Sequence, residues 1–148
     1  MDKLTPERRS ENMRRIKSKN TKPEMLVRQL VHRLGYRYRL HRKDLPGSPD
    51  LVFPGRRKVI FVHGCFWHVH PDPACRDSRP PRSNSDYWAP KLARNVERDR
   101  DAAARLEILG WNVLMIWECE TKRLDELQAR LVAFLDHPPR PPITTERL

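Results

Sequence analysis

The chain has 148 residues, enough for one domain whose core does not depend on crosslinks for all its stability. Its 30 Lys and Arg residues against 19 Asp and Glu leave a formal net charge of +11, which favours nucleic acid as a partner over a merely solvated basic surface. The longest apolar stretches have only strand length and the N-terminus lacks a signal-peptide segment, so we expect no membrane association and a cytoplasmic, nucleoid-associated protein.

The N-terminal segment, residues 1–20, predicts a basic helical arm. Thr5-Pro6-Glu7 combines a capping residue, a proline suited to the first helical turn and an early acid. Met13 and Ile16 are its only strongly apolar residues after this start, so the helix has little to bury. We therefore expect the arm to contact DNA.

The next segment predicts a core helix followed by an edge strand. Thr21-Lys22-Pro23-Glu24 repeats the helix-start signal, and Gly35 ends the pattern. Between them apolar residues recur at four-residue steps, at Leu26, Leu30 and Leu34. From Tyr36 to Leu40 apolar or aromatic residues alternate with arginine, which is typical of a strand exposed on one face.

A β-hairpin is predicted in the middle of the chain. Asp50 to Phe53 and Lys58 to Val62 are apolar enough for central strands, and Pro54-Gly55 supplies the turn. Cys75 to Tyr87 is rich in Pro, Arg, Ser and Asp, which predicts an irregular surface loop.

A long helix from about Tyr87 to Leu109 follows. Its apolar stripe consists of Leu92, Val96, Ala103 and Leu106. Asp99 falls on the same stripe, so its carboxylate should point towards the sheet and needs a partner there.

The remaining elements are a strand, a helix and a tail. Trp111 to Trp117 predicts a buried strand, and a closing amphipathic helix is marked by Leu124, Leu127, Leu131, Phe134 and Leu135. We expect one α/β domain over residues 21–136, with a mixed central sheet flanked by helices. The proline-rich tail, residues 137–148, predicts disorder.

Three cysteines and one histidine form a candidate zinc set. Cys65, His70 and Cys75 are evenly spaced in a loop that leaves a predicted strand, and Cys119 follows another strand. Structural zinc takes four tetrahedral thiolate and imidazole ligands. The spacing matches no common finger pattern, so buried free thiols and a surface histidine remain the alternative.

Acidic and imidazole groups should converge where the hairpin strands begin and end. Asp50 opens one strand, and Val62 and His63 close its partner, which places a carboxylate, a backbone carbonyl and an imidazole at one sheet edge. Such oxygens suit Mg²⁺. His68 could move a proton if Asp99 orients it. Two alternatives remain open: Asp50 could be only a turn residue, and His68 and Asp99 could form a purely structural pair.

Three aromatic residues accompany this segment. Phe66 and Trp67 are adjacent in the loop after the strand, and Trp88 follows the polar loop. Aromatic side chains on a basic surface can stack on bases or wedge between base pairs. They could instead form a small satellite core over the metal loop.

The chain resembles the very short patch repair (Vsr) mismatch endonucleases, which have a restriction-endonuclease-like three-layer fold. The most specific of the matching segments are His63-Gly64-Cys65-Phe66-Trp67-His68, Asn95-Val96-Glu97-Arg98-Asp99 and Trp117-Glu118-Cys119. Further matching segments are Arg9 to Met13, Thr21 to Glu24, Leu45 to Asp50 and Leu109 to Trp117.

The resemblance implies a role for each candidate residue. Asp50 and the backbone carbonyl of Val62 would hold Mg²⁺, although Val62 departs from a threonine common at that position. His68, oriented by Asp99, would activate water, with His63 near the scissile phosphate and Glu24 as a supporting acid. The structural zinc ligands would be Cys65, His70, Cys75 and Cys119. The residues that enter the base stack would be Phe66, Trp67 and Trp88 from the major groove and Met13 from the minor groove.

The activity implied is Mg²⁺-dependent nicking of double-stranded DNA, by a monomer, on the 5′ side of the T in a T:G mismatch left by deamination of 5-methylcytosine. Mismatch-repair proteins would be further partners. Two alternatives stay open: a nuclease that cuts undamaged DNA at a specific sequence, and a catalytically silent zinc-containing DNA-binding module. The joint presence of Asp50, His68 and Asp99 favours an enzyme.

Overall fold

The computed structural model describes residues 20–72, 74–75 and 85–137. The sequence predictions for the N-terminal arm with Met13, for most of the polar loop and for the C-terminal tail beyond His137 lie outside these residues. Among the helices that the structure describes, none is both long enough and apolar enough to span a membrane.

The described residues form three α-helices and four strands. In chain order they are α1 (Lys22–Arg33), β1 (Arg39–Leu40), β2 (Leu51–Phe53), β3 (Lys58–His63), α2 (Ser85–Ile108), β4 (Asn112–Trp117) and α3 (Leu124–Asp136). One short 3₁₀ helix, Pro54–Arg56, joins β2 to β3, and another, Glu118–Lys122, joins β4 to α3.

Helix α1 begins and ends where its sequence signals predict. The Thr21 hydroxyl accepts a hydrogen bond from the Glu24 N–H at 3.4 Å, and Gly35 leaves the helix with φ +99°. The fully buried face is centred on Glu24, Val27 and Val31, while the predicted leucines Leu26 and Leu30 are half-buried beside it. A four-residue repeat drifts around a helix of 3.6 residues per turn, so it marks only one side of the buried stripe.

The four strands form one mixed sheet in the order β1-β2-β3-β4. Strands β1, β2 and β3 are antiparallel neighbours, which confirms the hairpin and the edge position of β1, although β1 has only two residues. Strand β4 runs parallel to β3 from the pair Lys58↔Asn112 to the pair His63↔Trp117. The carboxyl ends of β3 and β4 therefore meet the start of β2 at one edge of the sheet.

Helices cover both faces of the sheet, in three layers. On one face α1 and α3 pack on Leu51, Phe53 and Ile60. On the other face Leu106 of α2 packs with Val52 of β2 and with Val59 and Phe61 of β3. The mixed α/β architecture is thus confirmed, and its finer classification as restriction-endonuclease-like stays a prediction.

Helix α2 turns a mixed polar and apolar face towards the sheet. The residues on this face are Leu92, Asn95, Asp99, Ala102 and Leu106, at steps of three and four. The inward orientation predicted for Asp99 is confirmed, but Asn95 and Ala102 are buried where the sequence favoured their neighbours Val96 and Ala103.

Strand β4 is mostly half-buried because it lies at an edge of the described sheet.

Candidate active site and cysteine–histidine cluster

A cleft of about 790 Å³ opens where β2 begins and β3 ends. Strand alternation sends His63, at the end of β3, to the same face as Val59 and Phe61, which is the face that α2 covers. The titratable residues that line this cleft include Glu24, His41, Asp50, His63, His68 and Asp99. The structure therefore brings all five of the predicted catalytic residues together, with His41 as an additional member.

Asp50 lies at the mouth of the sheet, next to the end of β3. Its Oδ2 atom accepts a hydrogen bond from the Val62 N–H at 2.7 Å. Burial raises the pKa of the Asp50 carboxyl from 3.8 to about 7, and nearby Glu24 adds to this shift while the Val62 hydrogen bond opposes it. Ionised Asp50 thus lacks sufficient compensating charge, a condition that a bound cation would correct.

His68 and Asp99 form a close pair. The Nδ1 atom of His68 lies 2.6 Å from Oδ2 of Asp99, and the His68 side chain is 30% exposed. With Nδ1 engaged by the carboxylate, Nε2 is the ring nitrogen left for substrate or water. The pair has the geometry of a general base whose tautomer and orientation are set by an acid.

His63 supports this pair from the interior. Its ring stacks on that of His68 with centroids 3.9 Å apart and planes 6° apart, and its Nε2 lies 4.0 Å from Asp99. Burial, with a smaller effect from the nearby His68, lowers the pKa of His63 from 6.5 to about 4, and Asp99 partly opposes this shift. His63 is therefore neutral at pH 7 and can stack on His68 without a second positive charge.

Glu24 enters the cleft from the first turn of α1 and is 2% exposed. Its two carboxylate oxygens lie 3.0 and 3.1 Å from Nε2 of His41, and one of them lies 3.4 Å from the Arg28 guanidinium. Sequence reasoning missed His41. A signal was available, because an antiparallel pair of β1 and β2 puts the residue after Leu40 beside the residue before Leu51.

A second group of donor atoms lies just beyond β3 and β4. The ligand atoms of the four predicted residues, Cys65, His70, Cys75 and Cys119, all lie within 4.8 Å of one another. Sγ of Cys119 is 3.5 Å from Nδ1 of His70, and the Cys119 N–H donates to Sγ of Cys65 at 3.4 Å. The three cysteines are not disulfide-bonded. Burial raises the pKa of the Cys65 and Cys119 thiols.

The predicted wedge residues pack together in the described chain. The rings of Phe66, Trp67 and Trp88 lie 5.1 to 5.4 Å from one another in edge-on contacts, and Leu92 lies beneath them. Trp67 is only 7% exposed, and its carbonyl accepts a hydrogen bond from the Asn95 amide at 2.9 Å. The structure thus has the satellite cluster that sequence analysis left as the alternative, and half-buried Phe66 and Trp88 form its outer part.

Trp117 links the cleft to the cysteine–histidine cluster. Its ring stacks on His70 at 4.5 Å and meets His63 edge-on at 5.2 Å. Sequence analysis assigned it only to a strand. Because its parallel register partner is His63, the end of β4 is the place where both groups can share one aromatic wall.

An acid beside an oriented imidazole, in a cleft on a strongly basic chain, suits hydrolysis of a phosphodiester. A family model described as DNA mismatch endonuclease Vsr matches residues 1–73. Type II nicking enzyme V.XorIIP from Xanthomonas oryzae pv. oryzae is 54% identical over 91% of this chain and 97% of the relative. Type II nicking enzyme V.NmeAIP from Neisseria meningitidis is 42% identical over 88% and 91%.

The DNA mismatch endonuclease Vsr of Escherichia coli strain K12 is 41% identical over 85% of this chain and 77% of the relative. The family model covers the hairpin, and each of these relatives aligns with at least 85% of the chain. The chain belongs to the Vsr family of DNA endonucleases, which includes type II nicking enzymes.

Proposed function

We propose that this endonuclease nicks duplex DNA on the 5′ side of the T in a T:G mismatch and so initiates very short patch repair. The observation that carries the proposal is that Asp50 and the His68–Asp99 pair line the same cleft. The mismatch as substrate is supported by the name of the Escherichia coli relative. The protein would act on chromosomal DNA as a monomer.

Asp50 and the backbone carbonyl of Val62 would hold Mg²⁺. The chemistry of this position fits a hard cation, because half-buried Asp50 lies beside the buried Glu24 carboxylate, and desolvation together with Glu24 raises the pKa of Asp50 to about 7. When bound, Mg²⁺ would supply a Lewis acid that offsets the charge on the scissile phosphate. Glu24 would support Asp50 as a second acid on the same wall of the cleft.

The His68–Asp99 pair would activate the attacking water. His68 takes a proton at Nε2, and Asp99 stabilises the resulting imidazolium through Nδ1. His63 stays neutral and holds the His68 ring by stacking, and it would lie near the scissile phosphate. This division leaves proton transfer to one histidine and positioning to the other.

The cysteine–histidine cluster would hold a structural Zn²⁺. Tetrahedral zinc with thiolate and imidazole ligands places sulfur and nitrogen about 3.6 Å apart, and Cys119 Sγ lies 3.5 Å from His70 Nδ1. All four ligands would come from the protein, which is typical of a structural site. The zinc would tie the loop after β3 to the end of β4 and so fix the segment that carries His68.

DNA would engage the basic surface and the aromatic cluster. The net charge of +11 supports phosphate contacts. Phe66, Trp67 and Trp88 would enter the stack from the major groove and Met13 from the minor groove, with Phe66 and Trp88 leading because the Trp67 side chain is buried. A mismatched pair costs less to unstack, which would favour it over a matched pair.

The test is a comparison of matched DNA duplexes that differ only in one base pair. With Mg²⁺ present, the protein should nick T:G duplexes and leave T:A duplexes of the same flanking sequence intact, and Asp50→Ala should remove nicking while retaining binding. Equal nicking of T:G and T:A would replace the proposal with a second candidate, a sequence-specific nicking enzyme, which the names of two relatives favour. A wild-type protein that cuts no duplex would instead be a DNA-binding module.

A further inference from the structure

Glu24, His41 and Asp50 form a second group of donors in the cleft, separate from the His68–Asp99 pair. One ligand atom from each lies within 4.8 Å of the other two. The three side chains come from different segments: the first turn of α1, the residue after β1 and the residue before β2. The fold therefore brings them together, and no local sequence motif does so.

We propose that Glu24, His41 and Asp50 bind one transition-metal ion, Mn²⁺ in preference to Mg²⁺, in the DNA-free protein. Two ligands at right angles around a cation with bonds of about 2.1 Å lie about 3.0 Å apart. His41 Nε2 lies 3.0 Å from Glu24 Oε2. Asp50 Oδ1 lies 3.8 Å from the same nitrogen, so only a small side-chain adjustment completes the set.

Charge supports a cation at this position. Two carboxylates face one imidazole, and the one other basic side chain within ion-pair distance of them, among the described residues, is Arg28, 3.4 Å from Glu24. One histidine and one shared arginine compensate such a pair incompletely, whereas a divalent ion held by both carboxylates would compensate it directly.

The imidazole determines which ion is preferred. Mg²⁺ selects oxygen ligands and retains water, whereas Mn²⁺ and later transition metals accept imidazole nitrogen as well. The backbone of His41 has a φ of +47°, a left-handed conformation that is uncommon for residues other than glycine. Its N–H donates to the Asp50 carbonyl at 3.2 Å.

This site shares Asp50 with the proposed catalytic cation but differs from it in a testable way. The cation at Asp50 and the Val62 carbonyl would need phosphate oxygens to complete its coordination, whereas Glu24, His41 and Asp50 offer three protein ligands without DNA. The proposal therefore does not rest on nicking, and it is tested on protein alone.

The experiment is Mn²⁺ titration of the full-length DNA-free protein, followed by electron paramagnetic resonance. We expect one Mn²⁺ per chain, no displacement by equimolar Mg²⁺, and spin-echo modulation from a coordinated imidazole nitrogen. His41→Ala should abolish the nitrogen modulation and weaken binding more than about tenfold. Glu24→Gln should weaken binding while keeping the modulation, which separates loss of a ligand from loss of the fold.

His68→Ala is the matched control, because it removes a histidine from the other donor group in the same cleft. It should retain both the affinity and the nitrogen modulation. The proposal is overturned if His41→Ala keeps the modulation, if His68→Ala is the variant that loses it, or if Mg²⁺ displaces Mn²⁺ at equal concentration. Each of these results leaves the proposed nicking activity untouched.

Discussion

The cysteine–histidine cluster and the cleft lie on either side of Trp117, and both contain side chains that can bind metal. They differ in how complete a set of ligands the protein supplies. The cysteine–histidine cluster has four donors from the protein itself, and two of its cysteines are buried. The donors of the cleft line a cavity of about 790 Å³ that is open to solvent. The first group is suited to hold a loop in place, and the second is suited to receive a substrate.

The contrast shows how one short segment can serve both purposes. His63 and Cys65 are two residues apart, yet one faces the cleft and the other belongs to the cluster, and the same holds for His68 and His70. Trp117 contacts His63 on one side and His70 on the other. A change in the cluster should therefore affect stability first, and a change in the cleft should affect chemistry first.

The largest effect is expected from His68→Ala. Because His68 is the proposed proton acceptor, we expect the nicking rate under single-turnover conditions to fall by more than about 1,000-fold. The thermal unfolding midpoint should change by only a few degrees, since the side chain is partly exposed. A variant that nicks within tenfold of wild type would remove His68 from the proposed mechanism.

His70→Ala tests the other group and differs from His68→Ala by only two positions. Loss of one ligand from a structural metal should lower the free energy of unfolding by about 3 kcal/mol and the midpoint by about 10 °C. Metal analysis should show reduced zinc. Nicking at a temperature where the variant is folded should stay within about tenfold of wild type, and unchanged stability would contradict a structural metal.

Phe66→Ala should have a smaller effect, confined to selectivity. Loss of one stacking aromatic should reduce the preference for T:G over T:A duplexes by about tenfold, in line with about 1 to 3 kcal/mol per stacked base. Phe66 is half-buried, so folding should be largely retained. Tyr87→Phe, which keeps the ring that meets Trp88 edge-on, is the control. Unaltered selectivity would assign Phe66 to the satellite cluster alone.

Asp50→Asn should give the smallest effect, a gain in stability of the metal-free protein. The pKa of Asp50 is raised in the fold from 3.8 to about 7, so its stabilising contribution is complete below pH 3.8 and is lost as the pH rises through 7. Because asparagine does not ionise, the variant does not lose this stability as the pH rises. Denaturant titrations should show the variant more stable than wild type at pH 7.5, with a smaller gap at pH 5. A gap that shrinks with rising pH would contradict the buried ionisation of Asp50.

Sequence patterns determined the local elements and much of the candidate site. Capping at Thr21, the hairpin around Pro54-Gly55 and the helical stripe that turns Asp99 inward each follow from interactions within a few residues. The cysteine–histidine set was also predictable, because zinc chemistry restricts which side chains can serve together.

Tertiary structure alone decided the strand order, the place of His41 and the role of Trp117. The parallel pairing of β3 with β4 joins residues more than 50 positions apart, and no local pattern specifies such a partner. His41 acquires its neighbours only when β1, β2 and α1 pack together. Local propensity acts over a few residues, whereas these contacts depend on which elements share a core, and that is settled when the whole domain folds.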